Sequence, residues 1–244
     1  MSIGDRIHIG TSGWHYDHWK GPFYPEEVQN NKMLELYSQH FSTVEINNTF
    51  YQIPEEKTLS QWTENVPVGF IFSVKASRYI THMKKLKDPS APVSKFLDSI
   101  KILGEHTGPV LFQLPSNWNI NSKRLKSFLS ALPQGYKYAF EFRDESWFDI
   151  EICHILEDHN VSFCIYELAG NISPFIITAD FVYVRLHGPD GPYQGSYSND
   201  SLEEWAENIL QWLNEGKEVY LYFDNDEKGY AAINALELQE IVNR

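Results

Sequence analysis

Seven ionisable residues could do chemistry together: Glu45, Glu141, Asp224 and His187, with Lys75, Arg143 and Arg185. Each stands at or near the end of a short strand-like run. Glu45 and Glu141 are the expected acid/base pair, because partners that push two carboxyl pKa values apart make one a donor and the other an acceptor. His187 could relay a proton, and Asp224 completes the expected catalytic set. Lys75, Arg143 and Arg185 would hold an anionic group or a developing oxyanion, with Asn47 and Gln113 orienting the ligand. A serine triad has little support, since Ser12 has no evident His/Asp pair in the sequence. Glu45, Glu141, His187 and Asp224 are also hard oxygen and nitrogen donors of the kind that bind divalent metals. Against a metal stand the three neighbouring cations and the absence of metal-type spacing.

Such residues must be brought together by the elements that carry them. Eight strand-like runs follow one another: 7–14, 43–51, 69–77, 110–115, 137–143, 162–167, 181–188 and 218–226. Most are separated by helical spacing, the βα alternation of a barrel. The helical stripes include Met33, Leu34, Leu36 and Tyr37; Leu59 and Trp62; Val93, Phe96, Leu97 and Ile100; and Leu125, Phe128 and Leu129. Further stripes hold Ile152, Ile155 and Leu156; Leu202, Trp205, Ile209 and Leu213; and Ile233, Leu236 and Ile241. Asn121 and Asp200 or Ser201 are expected caps, and Pro133 and Gly216 are stops. The predicted fold is a TIM-type (β/α)8 barrel in one domain, residues 1–244. Its crossover between the sixth and seventh strands is reduced, because residues 171–180 are few and include Pro174.

Alternation along the strands turns one set of side chains toward the barrel interior. Val44 and Ile46 oppose Glu45 and Asn47, and Phe140 and Phe142 oppose Glu141 and Arg143. Val182, Val184 and Leu186 oppose Tyr183, Arg185 and His187; Val219, Leu221 and Phe223 oppose Tyr220, Tyr222 and Asp224. Ser12, Lys75 and Gln113 are inward on the same reading, while the sixth strand is ambiguous between Tyr166 and Glu167. Ions are costly in a barrel interior unless paired, so the cluster is either a closed plug or a ligand pocket at the strand ends. Aromatics of successive loops (Trp14, Tyr16, Trp19, Tyr51, Trp118, Trp147, Tyr193 and Tyr197) could rim that pocket.

Bulk properties narrow the partners. The 244 residues carry a formal net charge of −13, which argues against sequence-independent capture of nucleic acid. The two cysteines, Cys153 and Cys164, lack metal-ligand spacing, so a reducing cytoplasm is the expected location. No apolar run approaches the roughly 20 residues that span a bilayer. The sequence points to no protein partner.

The chain also resembles a known family along nearly its whole length. The carrying motifs are Gly10-Thr11-Ser12-Gly13-Trp14 and Thr43-Val44-Glu45-Ile46-Asn47 with Thr49-Phe50-Tyr51. Lys75, Ile80-Thr81-His82, Gln113-Leu114-Pro115 and Glu141-Phe142-Arg143 with Ser146-Trp147 follow. Arg185-Leu186-His187-Gly188 and Tyr222-Phe223-Asp224-Asn225-Asp226 complete the set. These resemble the YecE-like family, domain of unknown function 72, and the resemblance implies a TIM-like barrel without an established activity. Asn48 and Asp144-Glu145 depart from the family pattern.

The expectation is an enzyme without an organic cofactor, acting by acid/base chemistry on a small polar, sugar-like or phosphorylated substrate. Its substrate-binding residues would be Ser12, Trp14, Asn47, Tyr51, Lys75, Gln113, Arg143, Trp147, Arg185 and Asn225. The alternatives are a divalent-metal phosphodiesterase or sugar isomerase, and a non-catalytic ligand-binding or protein-binding barrel.

Overall fold

The computed structural model describes residues 3–244. The strands are β1 Ile7–Thr11, β2 Thr43–Ile46, β3 Ile71–Lys75, β4 Thr107–Gln113, β5 Tyr138–Glu141, β6 Ser162–Leu168, β7 Asn171–Ile172, β8 Phe181–Leu186 and β9 Glu218–Phe223. The α-helices are α1 Met33–Tyr37, α2 Glu56–Glu64, α3 Ser90–Ile100, α4 Ser122–Leu129, α5 Ile150–Glu157, α6 Asn199–Asn214 and α7 Tyr230–Val242. The parallel path β1-β9-β8-β6-β5-β4-β3-β2 forms a TIM-like barrel. The two-residue β7 turns back antiparallel on β6.

The helices form where sequence supplies both a stripe and a start. Asn121 accepts a hydrogen bond from the Arg124 amide at 3.0 Å, the N-cap expected for α4. Helix α6 begins earlier than expected, at Asn199, because the Ser198 hydroxyl caps it through the Ser201 amide. The buried faces of α3 and α6, including Phe96, Leu97, Trp205 and Ile209, belong to the apolar layer between helices and strands.

The crossover after β6 has no helix. Its hydroxyls serve β6 directly: Thr178 accepts from the Phe163 amide at 2.8 Å, and Ser173 accepts from the Tyr166 amide at 2.9 Å. The reduced crossover is thus a strap whose side chains satisfy strand backbone that would otherwise be buried without partners.

Closure between β1 and β2 depends on close approach and one tyrosine. At the upper end Ser12 bridges Glu45, and the Gly13 amide donates to the Glu45 carbonyl at 2.9 Å. Lower down, the Tyr37 hydroxyl accepts from the Thr11 amide at 3.0 Å and donates to the Thr43 carbonyl at 3.0 Å. One hydroxyl therefore replaces a ladder hydrogen bond. Gly10 is required beside it, since a Cβ there would lie 2.3 Å from the Thr43 carbonyl oxygen.

The interior is filled in layers, as in other closed barrels. Leu111, Ala139, Cys164, Phe181, Tyr183, Tyr220 and Tyr222 form a small inner core. The Tyr222 hydroxyl is shared with the hydroxyls of Thr43 and Ser73, each at 2.7 Å. At the lower end Glu218 meets Lys137, His8 at 3.1 Å and the Tyr220 hydroxyl at 2.6 Å. Burial alone would raise the Glu218 carboxyl, but these partners bring it down to about 2. Above the inner core lies the charged layer.

Candidate functional site

Arg185, on β8, is the centre of that charged layer and is fully buried. Its Nε lies 3.1 and 3.0 Å from the two Glu45 oxygens, and its Nη2 lies 2.7 Å from Glu45 Oε1. Nη1 reaches Glu141 Oε2 at 2.8 Å, and Nη2 reaches Asp224 Oδ2 at 3.0 Å. Burial would depress the guanidinium, but the carboxylates Glu45, Glu141 and Asp224 hold it well above its ordinary range. A buried cation of this kind persists only when its donors are satisfied.

The carboxylates are not equivalent. Glu45 is fully buried, and both its oxygens are occupied: Oε1 by the Ser12 hydroxyl at 2.6 Å and by Arg185, Oε2 by the Tyr183 hydroxyl at 2.6 Å and by Arg185. Glu141 is equally buried, and accepts from Arg143, from Gln113 at 2.9 Å and from Arg185. Burial would raise its carboxyl, yet Arg143 and Arg185 outweigh that and hold it well below the usual carboxylate range. The acid/base pair expected from sequence is therefore engaged in holding the guanidiniums.

Asp224 is different. Its Oδ2 accepts from Arg185 and lies 2.9 Å from His187 Nδ1, while among the described residues Oδ1 has no hydrogen-bond partner. The side chain is 12% exposed. Burial would raise this carboxyl too, but Arg185 and then His187 bring it below the ordinary value.

His187 is buried, with Nε2 facing Arg143 Nη2 at 2.8 Å and Arg185 Nη1 at 3.2 Å. Two guanidinium donors make Nε2 an acceptor, so we assign the ring proton to Nδ1, where Asp224 receives it. Arg143 is 12% exposed, stacks its guanidinium 4.7 Å from the Tyr166 ring, and leaves Nη1 without a protein acceptor among the described residues. Tyr193 lies edge-on to His187 at a ring separation of 5.6 Å and is 48% exposed.

Lys75 ends β3 and is half-buried. Its Nζ has no carboxylate partner among the described residues and sits 4.6 Å from the centre of the Phe50 ring. Burial, and after it the positive charge of Arg185, lowers the ammonium from its ordinary range.

Several expected binding residues occupy other places. Trp147 is fully buried and donates its indole N–H to the Trp118 carbonyl at 2.6 Å, so it anchors a loop instead of rimming the mouth. Trp14 is buried against Trp62, edge to face at 4.8 Å. Trp19 and Tyr197 are buried in the same anchoring way, by bonds to Asp226 and to the Gly188 amide. Tyr51 is 73% exposed, because Asn48–Phe50 forms a 3-10 turn that ends the alternation. Asn225 is buried and ties the Gly195 carbonyl to Asn234. Asn47 lines a flanking groove of about 840 Å³ with Trp14, Tyr16 and Trp62.

Sequence reasoning gave no binding role to Tyr183 or Tyr166 at this centre, and named Tyr193 only among the rim aromatics. Tyr183 shares the alternation of Arg185 and His187, which is the signal that could have found it. Tyr166 lay on the ambiguous strand, where the structure pairs it with Arg185 in register. Tyr193 lay in a loop with no periodicity to read.

The four residues weighed as alternative metal donors are not gathered into a metal site among the described residues. Glu45 is saturated, His187 Nε2 faces cations, and no group of three His, Cys, Asp or Glu side chains able to hold a metal ion occurs among the described residues. The arrangement can instead present an ionised carboxylate oxygen and two incompletely paired cations in one charged layer. No helix among the described residues is long and apolar enough to cross a membrane.

Comparison with known proteins gives relatives of matching length. The UPF0759 protein YunF of Bacillus subtilis (strain 168) is 27% identical, covering 97% of this chain and 95% of its own. A crystal structure of a DUF72 family protein from Thermotoga maritima superposes with a TM-score of 0.88 at 30% identity, covering 98% and 99% of the two chains. PbGH5A, a glycoside hydrolase family 5 enzyme from Prevotella bryantii, covers 99% and 97% with a TM-score of 0.57 at 11% identity, a likeness of fold alone. The family model described as "Protein of unknown function DUF72" matches residues 8–244, and the chain belongs to that family.

Proposed function

We propose that the protein is an enzyme using acid/base chemistry on a small anionic, sugar-like or phosphorylated substrate at the C-terminal mouth of the barrel. One observation carries this reading: three groups with unspent bonding capacity belong to the same charged layer. These are Asp224 Oδ1, Lys75 Nζ and Arg143 Nη1. A plug built only for stability would use such groups on one another.

In this reading the substrate's anionic group is held by Arg143, and Gln113 helps orient it, with Lys75 left free for a second contact to the substrate. Asp224 takes a proton from the substrate through Oδ1, and His187, hydrogen-bonded to Oδ2, fixes its orientation. The depressed carboxyl keeps Asp224 ionised at neutral pH and able to accept. Glu45 and Glu141 act behind this layer by positioning Arg185 and Arg143. Ser12 and Tyr183 in turn hold Glu45.

Proton abstraction next to a carbonyl leaves a direct signature, exchange of substrate hydrogen for solvent deuterium. A panel of sugar phosphates incubated in D2O and followed by proton NMR should show one member losing a C–H signal with the wild-type protein. Asp224→Asn should abolish that loss while leaving the protein folded. Exchange that continues unchanged in Asp224→Asn would refute the assignment.

A further inference from the structure

Lys75 stands apart from the other cations of the layer. Arg185 contacts three carboxylates and Arg143 contacts one, whereas Lys75 has no ion pair among the described residues despite the same acidic neighbourhood. Its Nζ rests against the Phe50 ring, and that ring is itself packed edge-on by His82 at 5.0 Å. The strand β3 fixes the backbone, and the Thr49 hydroxyl fixes the Lys75 carbonyl at 2.7 Å. The amine is thus held at the end of a barrel strand, over an aromatic ring, with no ion-pair partner among the described residues.

Burial and the positive charge of Arg185 favour a neutral amine, and they outweigh the Phe50 ring face and the carboxylates Glu141, Glu45 and Asp224, which favour the ammonium. Desolvation and a neighbouring positive charge both penalise the ammonium form, and a lysine so placed is a nucleophile toward carbonyl carbon. An anion-binding lysine, by contrast, gains from staying charged. The lowered ammonium pKa, caused first by burial and then by Arg185, runs in the direction of the nucleophile.

We propose that Lys75 is a catalytic nucleophile that forms a Schiff base with the carbonyl carbon of the substrate, an aldehyde or ketone bearing an anionic group. This deepens the acid/base reading and rests on it. The amine lone pair forms the C–N bond as the carbonyl π pair moves to oxygen. Both amine protons pass to that oxygen, which leaves as water, and the product is the imine. No oxidant or reductant is consumed. A proton taken up from solvent makes the imine an iminium, which draws electrons from the adjacent C–H bond as Asp224 Oδ1 takes that carbon's proton.

The test uses acetaldehyde as a small uncharged carbonyl probe, with sodium cyanoborohydride to reduce any imine to a stable secondary amine. Peptide mass spectrometry then compares Lys75 with the exposed lysines Lys57 and Lys123. Lys75 should be alkylated faster than either at neutral pH, since a lowered ammonium pKa leaves more of the free amine. Dihydroxyacetone phosphate with borohydride should place one adduct per chain on Lys75, and Lys75→Arg should abolish it while preserving the fold. Labelling of Lys75 no faster than that of Lys57 and Lys123 would overturn the proposal. So would a Lys75→Arg variant that keeps full solvent-exchange activity, which would leave the acid/base reading standing with Lys75 as an anion-binding charge. Loss of exchange in Asp224→Asn tests that parent reading separately.

Discussion

Removing the central guanidinium gives a sharp test of how the charged layer is built. In Arg185→Met, the fully buried Glu45 loses its one cationic partner among the described residues, while Glu141 keeps Arg143 and the partly exposed Asp224 keeps the His187 hydrogen bond. The cost is therefore that of one stranded buried carboxylate, about 3–5 kcal/mol, and not three times that. For a chain of this size the corresponding loss in Tm is about 6–20 °C. The loss must also depend on pH. Protonating the stranded carboxylate removes its charge from the interior, so the folded variant holds a proton that the unfolded chain releases, in a window above the ordinary carboxylate range. Stability of the variant relative to wild type then falls as pH rises through that window. Urea unfolding at pH 5 and pH 8 measures both terms, and Glu45→Gln in the Arg185→Met background should recover part of the loss at pH 8. A deficit below about 1 kcal/mol, or one equal at the two pH values, would refute this construction.

Other outcomes follow from the same geometry. Tyr37→Phe removes the hydroxyl that joins the Thr11 amide to the Thr43 carbonyl, and should cost about 1–3 kcal/mol for each buried group left unpaired, measured by urea unfolding. Glu141 and Asp224 both titrate below their ordinary values when folded. Their contribution is full above the unfolded values near pH 4 and is lost as pH falls through the folded ones, so wild-type stability should decline steeply on acidification below about pH 4. Trp147→Phe should destabilise the fold by about 3 kcal/mol or less by leaving the partly buried Trp118 carbonyl unpaired. It should leave anion binding unchanged, because Trp147 does not reach the mouth.

Much of the barrel was legible because its interior imposes alternation on every strand. Glu45, Glu141 and Arg185 fall inward with Tyr183 and Tyr222, as period-two reading requires. The strand-like runs overshoot the strands themselves: β8 ends at Leu186 and β9 at Phe223, while His187 and Asp224 follow directly. An extended first residue beyond a strand has the same sequence pattern as the strand, so its end cannot be read from alternation. Where the backbone turns at once, parity fails, as at Tyr51. The aromatic residues misled for another reason. Trp14 and Trp147 have the composition of a stacking rim, but an indole can equally bury its ring and spend its N–H on a loop carbonyl, and only geometry distinguishes the two. Which carboxylate keeps a free oxygen was likewise invisible, since it depends on how one guanidinium shares its five donors.

The central claim, that the charged layer is a ligand site and not a closed plug, is tested most directly by anion binding. Thermal unfolding of wild type, Lys75→Ala and Arg143→Ala would be followed with increasing inorganic phosphate at constant ionic strength. A site predicts a saturable rise in Tm for wild type, of about 2–4 °C per kcal/mol of binding energy, that is lost in Arg143→Ala. A plug would give no phosphate effect in any of them, and variants at least as stable as wild type would then contradict the account.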